Sequence, residues 1–431
     1  MKNIVVKSLL ISMIVFYACK EKITNPPDTP LPEGYQQDIP WPSLADSPWP
    51  MDHHDPQNTG RSKYEGPVIG SLDGIIDSVS IYNSIAIGED STIYMAIGGS
   101  SNPSLKEQGL YALKPDGQIK WIYKFSQTGR SYSTPLIAKD GTIYCSFVGY
   151  NNLKKFYAIN PNGTLKWEVD NISIKMNGVT IGLDGTIYFI QSGGTGILTA
   201  LSKDGVILWT YTDPKIYGGD NTGMSFSPDG KTLYLYTFIE NKALVAFDIE
   251  SRTIKWGFGK YVSGHPMVDC KGNLYVVAND SILYEGRTAL ISLNQEGKIR
   301  WTYPLRLAMA YSYYTPIMDK NGNIYCGYDT LFSFDYSGKL RWKIDLCPEC
   351  PDVNGVIAAP LICDNNGRIF TAIHYDSSPD IKEIAALNSD GSTLWKFTPP
   401  FYTRNLYSPA IGFNKDLYLP NYQVSKILKI K

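Results

Sequence analysis

The stretch LYALKPDGQIKW, residues 110–121, returns 46 positions later as FYAINPNGTLKW, residues 156–167. The repetition continues. Trp121, Trp167, Trp209, Trp256, Trp301, Trp342 and Trp395 each close one unit, at spacings of 46, 42, 47, 45, 41 and 53. A short apolar run and a turn precede each Trp, as in YALKPDG, TALSKDG, ISLNQEG and AALNSDG. Earlier in the unit lies a second pair of runs, as in TPLIAKDGTIYCSF (134–147), HPMVDCKGNLYVVA (265–278), TPIMDKNGNIYCGY (315–328) and APLICDNNGRIFTA (359–372). Each unit therefore predicts four short strands, with Asp-Gly and Asn-Gly supplying the positive φ of tight hairpins. One four-stranded sheet cannot bury both of its faces alone, so the units must stack on one another. A recurrent Trp is a flat filler for the gap between two sheets. The sequence predicts an all-β fold, a β-propeller of four-stranded blades.

The ends of the chain set the blade count. After the seventh Trp, YSPAIGFNKDLYLP and the closing KILKIK supply only three strands. At the other end GPVIGSLDGIIDSVSIYN, residues 66–83, holds a strand with no blade of its own. Pairing the two completes an eighth blade and removes two open sheet edges. Eight blades over residues 66–431 are expected, with seven blades and a C-terminal extension as the alternative.

The first 19 residues read differently. Lys2 and Lys7 precede a short apolar run ending at Ala18-Cys19. The run is too short for a mature membrane span and reads as a secretory signal. A small residue directly before a Cys resembles the lipobox of bacterial lipoproteins. That resemblance implies a lipid on Cys19 and residence at the outer membrane, on its periplasmic or surface side. Residues 20–50 are Pro-rich and are expected to form an extended tether, with a lead-in segment over 51–65.

The form A-L-x-x-x-G-x-x-x-W resembles the PQQ-like, or quinoprotein-type, propeller repeat, and the resemblance covers nearly everything after residue 48. The stretch PWPMDHHDPQNTGRSKYEGP (48–67) is similar to the lead-in of many exported members. The family includes quinone-dependent dehydrogenases and the propeller lipoprotein of the outer-membrane β-barrel assembly machinery. Dehydrogenase members would carry adjacent cysteines beside the quinone, a Glu/Asn/Asp calcium site and a catalytic Asp. This chain has no adjacent cysteines. No cofactor is expected, with PQQ and calcium kept as the alternative that the resemblance implies.

Other chemistry is sparse. The sequence has no H-E-x-x-H, G-x-S-x-G or G-x-x-x-x-G-K-[ST]. His53-His54-Asp55 could suggest a metal site but reads as a loop cap or a solvent-facing stretch, and His265 and His374 read as structural histidines, so no metal ligand is assigned. Cys145, Cys326 and Cys363 fall at strand positions and read as small core residues, and Cys270 at a turn reads as unpaired. Cys347 and Cys350 are expected to form a local disulfide in an oxidising compartment, with a redox pair or half a zinc site left open. Forty basic and 41 acidic residues give a net charge of −1, which argues against nucleic acid as a partner.

One asymmetry stands out. The connections between blades carry basic residues, Arg130, Lys175, Lys215, Lys260, Arg306 and Arg404. Tyrosines accompany them, Tyr132, Tyr217, Tyr311, Tyr313, Tyr314, Tyr402 and Tyr407. These connections share one face of the ring, which becomes the candidate binding face for an envelope protein or an anionic or glycan ligand. The expected function is a non-catalytic, lipid-anchored, monomeric scaffold that meets the membrane only through its lipid. A dehydrogenase and a carbohydrate-binding propeller are the alternatives.

Overall fold

The computed structural model describes residues 31–76, 83–98, 108–126, 128–150, 153–172, 174–191, 196–216, 223–279, 288–305, 315–346, 355–357, 359–375, 378–400, 407–421 and 426–431. Every strand and helix assignment among them is a strand. None of these residues lies in a helix long and apolar enough to cross a membrane. The body comprising Glu33–Lys431 holds eight antiparallel sheets. Blade 1 runs, from axis to rim, Ala86–Ile87, Ile93–Ile97, Gly109–Leu113 and Ile119–Lys124. Blades 3 to 6 repeat this order without interruption over residues 174–345. In blades 2 and 7 the innermost strand is split, into Gly129–Arg130 with Leu136–Ile137 and into Gly355–Ile357 with Ile362–Cys363.

The eighth blade is assembled from both chain ends. Ala410–Ile411, Leu417–Asn421 and Lys426–Ile430 form its inner three strands, and Leu72–Ile76 forms the rim strand. The pairing of Leu72–Ile76 with Lys426–Ile430 is antiparallel, Ile76 opposite Ile427. The ring therefore closes with eight blades and not seven.

The period of the Trp residues has a direct cause. Each indole from Trp121 to Trp342 lies beneath the hairpin that joins the outer two strands of the following blade, and Trp395 lies beneath the segment that leads into the rim strand of blade 8. The indole N–H groups of Trp121, Trp167, Trp256, Trp301, Trp342 and Trp395 donate to carbonyls of Pro161, Lys203, Gln295, Tyr336, Ser389 and Pro67 at 2.8–3.3 Å. The turn above must bring backbone onto an aromatic plane, which is why Gly163 sits over Trp121. A Cβ there would meet the indole at 2.7 Å, and φ is +86°. Trp209 meets a different turn. In that turn Arg252 takes the positive φ of 57°, and its guanidinium lies 5.4 Å from the Trp209 ring. At the seam between blades 8 and 1 no Trp is available, and Ile76 packs under Gly117 instead. Apolar residues of facing sheets fill each gap, as Phe156 and Phe189 do between blades 2 and 3 at 5.5 Å between ring centres.

Candidate functional site

The lead-in to the ring is built into it. From Gln36 to Glu65 the chain crosses the end of the ring that bears the turns between the first and second strands. It reaches the last residue of the innermost strand in blade after blade. The Trp41 indole donates to Ile181 O in blade 3, and Ala45 N donates to Ile137 O in blade 2. Trp49 O accepts from Ile87 N in blade 1. Carbonyls of Pro56, Gln57, Thr59 and Gly60 then accept from Phe226, Val268, Met318 and Cys363, the amides of blades 4, 5, 6 and 7 in order. Tyr64 and Glu65 reach blade 8 through Phe413 and Lys415. The stretch through residue 50 was expected to stand off as a spacer. From Glu33 onward it lies on the propeller, because its carbonyls are acceptors for strand-end amides that the blades leave open.

Local chemistry bends this segment into shape. His53, His54 and Asn58 have φ of 52°, 75° and 55°, a region uncommon for residues other than Gly. The Asp55 carboxylate holds the bend by accepting from Gln57 N at 3.1 Å, Thr59 N at 3.0 Å, the Thr59 hydroxyl and, at 3.2 Å, the His54 ring. Burial works against the Asp55 charge. The bonds from His54 and Thr59 outweigh it and hold the carboxyl below its ordinary pKa.

The bend drives His53 into the ring. There it meets His265 of blade 5, the two imidazoles edge to face at 4.2 Å between centres. Asp52 joins them, with its carboxylate 3.7 Å from His53 Nε2. One ligand atom from each of Asp52, His53 and His265 lies within 4.8 Å of the others, and all three residues are buried. Neither Asp52 oxygen nor His53 Nδ1 has a hydrogen-bond partner. Burial first and His53 second hold the His265 imidazole well below its ordinary pKa.

The sequence reading placed His53 and His265 in separate structural roles, and the fold brings them together. A signal existed in the repeat itself. Three residues before each innermost strand ends, the blades carry Ser84, Thr134, Gly178, Gly223, Thr315, Pro360 and Ser408, and blade 5 alone carries His265. The equivalence is structural as well. Ser84 N donates to Thr134 Oγ1 of the next blade, and His265 N donates to Thr315 Oγ1 of the next.

The opposite end of the ring carries the interblade connections predicted as a binding face. Arg130 donates to the Tyr132 hydroxyl at 3.2 Å and lies 5.9 Å from the Tyr150 ring centre. Lys215 and Lys260 are exposed, and Tyr407 is half-buried with its amide bonded to Pro420 O. Lys175 lies in the blade 3 strand Ile174–Ile181, with its side chain outside the described set. Tyr217, Arg306, Tyr311, Tyr313, Tyr314, Tyr402 and Arg404 lie outside the described residues, as do Cys19, Cys347 and Cys350. Sequence reasoning missed two aromatics on this end, Tyr150 at 61% exposure and Phe238 at 67%. Both sit in loops between second and third strands. Those loops hydrogen-bond to the connections: Phe238 N to Lys215 O at 2.6 Å, and Tyr150 N to Thr128 O at 3.0 Å. The Arg130 guanidinium thus lies near the Tyr150 ring, and the backbones of Phe238 and Lys215 are joined. Among the described cysteines, Cys145, Cys326 and Cys363 are buried and unpaired, and Cys270 is a half-buried free thiol.

At the turn end a cavity of about 550 Å³ opens against the lead-in segment, with Trp41, Asp46, Arg61, Lys63 and Lys139 in its wall. Its charges largely answer one another. Lys63 pairs with Asp46, and Arg61 lies 3.6 Å from Asp38.

Comparison with known proteins agrees with this architecture. No curated protein sequence matches significantly. The crystal structure of BamB from Moraxella catarrhalis superposes with a TM-score of 0.58 at 14% identity, covering 84% of this chain and all of that one. A quinohemoprotein alcohol dehydrogenase from Pseudomonas putida gives a TM-score of 0.59 at 11% identity, covering 92% of this chain and 83% of that one. At such identities both likenesses show the fold alone. The sequence itself matches the family model described as outer membrane protein assembly factor BamB over residues 84–303, just over half of the chain. A PQQ-like repeat that closes into eight blades, together with that match, places this chain in the BamB family.

Proposed function

We propose that this protein is a non-catalytic scaffold of the bacterial envelope. In this reading residues 1–19 direct export, a lipid on Cys19 anchors the chain at the outer membrane, and the monomeric propeller docks a protein partner. Family membership supports the setting. The single observation that carries the docking surface is the adjacency of Phe238 to Lys215 and of Tyr150 to Arg130 at the interblade end. Exposed aromatics and arginine are what protein interfaces enrich, and a lysine beside them suits a partner with acidic and apolar residues together. A rigid ring bearing loops can present such a surface at little entropic cost.

Two changes test the reading independently. Cys19→Ala should move the protein from the membrane fraction to the soluble envelope fraction with its fold intact. Lys215→Glu combined with Phe238→Ala should leave the protein at the membrane and lose the co-purifying envelope protein. Retention of Cys19→Ala at the membrane would overturn the anchor, and an unchanged partner in the double variant would overturn the docking face. Titration with PQQ and calcium addresses the dehydrogenase alternative. A one-to-one complex with a raised melting temperature would favour it over the scaffold.

A further inference from the structure

We propose that Asp52, His53 and His265 form a binding site for a divalent first-row transition-metal ion, which fastens the lead-in segment to blade 5 inside the ring. The donor set is two imidazoles and one carboxylate, the combination suited to zinc and its neighbours and not to calcium or magnesium, which favour all-oxygen sites. One ligand atom of each residue already lies within 4.8 Å of the other two. Ligands on a tetrahedral ion with bonds of about 2.0–2.1 Å stand roughly 3.3 Å apart, so the side chains need to close by only about an ångström or so. Three protein ligands leave a fourth position for water.

Three further observations point to a cation here. The first is the Asp52 carboxylate, which is buried with neither oxygen hydrogen-bonded. A buried carboxylate with no donor is costly unless a positive charge stands beside it. The second is His265, an imidazole at a strand position where six of the other seven blades place Ser, Thr or Gly. Room for it exists because its neighbour in blade 4 is Gly223, where a Cβ would lie 2.0 Å from His265 Nδ1. The third is the backbone of His53. It is held at φ 52°, and its carbonyl accepts from Gly60 N, so the loop keeps this side chain turned inward despite a conformation that residues with a Cβ avoid. The competing account of the same geometry is a packed cluster of these three side chains with no metal.

The test uses the purified full chain without a histidine tag, stripped by a chelator and then titrated with zinc at neutral pH by competition against a chromophoric chelator. One equivalent should bind, with a rise in melting temperature. Cobalt should give the visible absorption of a low-coordinate nitrogen–oxygen site. His265→Ser installs a residue that other blades already use at this position, so the ring should form. It should weaken binding by more than about 100-fold, a larger loss than removing an outer-shell partner causes. Asp52→Asn, nearly isosteric, should do the same, and His54→Ala should not. Binding that survives both His265→Ser and Asp52→Asn would place the ion elsewhere and overturn the proposal. So would the absence of stoichiometric zinc in a folded wild-type chain.

Discussion

The indole N–H of Trp395 donates to the carbonyl of Pro67, 2.9 Å away in space and 328 positions earlier in the chain. This contact repeats what Trp121, Trp167, Trp256, Trp301 and Trp342 do to the following blade, but here it joins the two ends of the ring. Gly70 lies over the same indole with φ of +72°, and a Cβ there would meet the ring at 2.4 Å. Gly74, in the rim strand itself, has open space. Gly70→Ala is therefore expected to destabilise by about 1–3 kcal/mol through overpacking and strain. Gly74→Ala should be nearly neutral, and Trp395→Ala should cost about 3–5 kcal/mol. Thermal unfolding of the three variants checks the order, and equal losses at Gly70 and Gly74 would contradict the closure described.

Acid should weaken the hairpins together. At Asp90, Asp140 and Asp229 partial burial raises the carboxyl pKa, but lysine, hydroxyl and amide donors outweigh it and the net value lies below normal. A carboxyl whose folded pKa is depressed stabilises the fold above its unfolded pKa, near 3.9, and loses that contribution as the pH falls through the folded value. The melting temperature should therefore hold steady from neutral pH to about pH 5 and decline below about pH 4. Asp140→Asn should flatten part of that decline. A melting temperature that does not change between those pH values and strong acid would contradict the assignment.

Blade 3 lacks a guard that blades 1 and 2 carry. Immediately before the Trp, blades 1 and 2 place Lys120 and Lys166, whose ammonium groups reach Asp90 at 2.7 Å and Asp140 at 2.9 Å. Blade 3 places Leu208, 52% exposed, beside exposed Ile207 on its rim strand, with exposed Val206 in the turn just before it. An apolar edge strand invites pairing with another chain. Leu208→Lys should change stability by less than about 1 kcal/mol, as surface charge pairs do. It should reduce concentration-dependent association, measured by light scattering at matched concentrations.

Asp55 should act on the lead-in segment locally. Its carboxylate accepts from two backbone amides and the Thr59 hydroxyl within one bend. Asp55→Ala leaves buried donors unpaired at a cost of about 1–3 kcal/mol each. Amide hydrogen exchange at residues 56–62 should accelerate, and exchange at the rim strands of the blades should not. Uniform acceleration across all blades would mean that the segment is integral to the cooperative fold.

The ring was legible because its determinants are periodic. Trp121 and Trp167 each follow an apolar strand, a Gly turn and a Lys, and the spare strand at Leu72–Ile76 was countable against the three-stranded C-terminal unit. The lead-in segment was not legible in the same way. Most of its partners are strand-end backbone groups spread from Ile87 to Cys363, reached largely by backbone amides and carbonyls, which leave no side-chain pattern. The Asp52–His53–His265 cluster fell between these cases. His265 breaks the repeat at a position that the other blades fill without an imidazole, but its partner His53 lies outside the repeat. Phe238 carries no sequence signal of its own, because it sits in a loop within blade 4 and not in a connection between blades.

The docking face is the central claim, and a photo-crosslinking residue placed at position 238 in the native envelope tests it most directly. The account predicts one dominant adduct with an envelope protein. That adduct should disappear when Lys215 is changed to Glu, and it should not form when the crosslinker is moved to exposed Ile119, which lies at the opposite end of the ring. Adducts of equal yield at 238 and 119, or none at 238 under conditions where the protein is folded and membrane-bound, would contradict it.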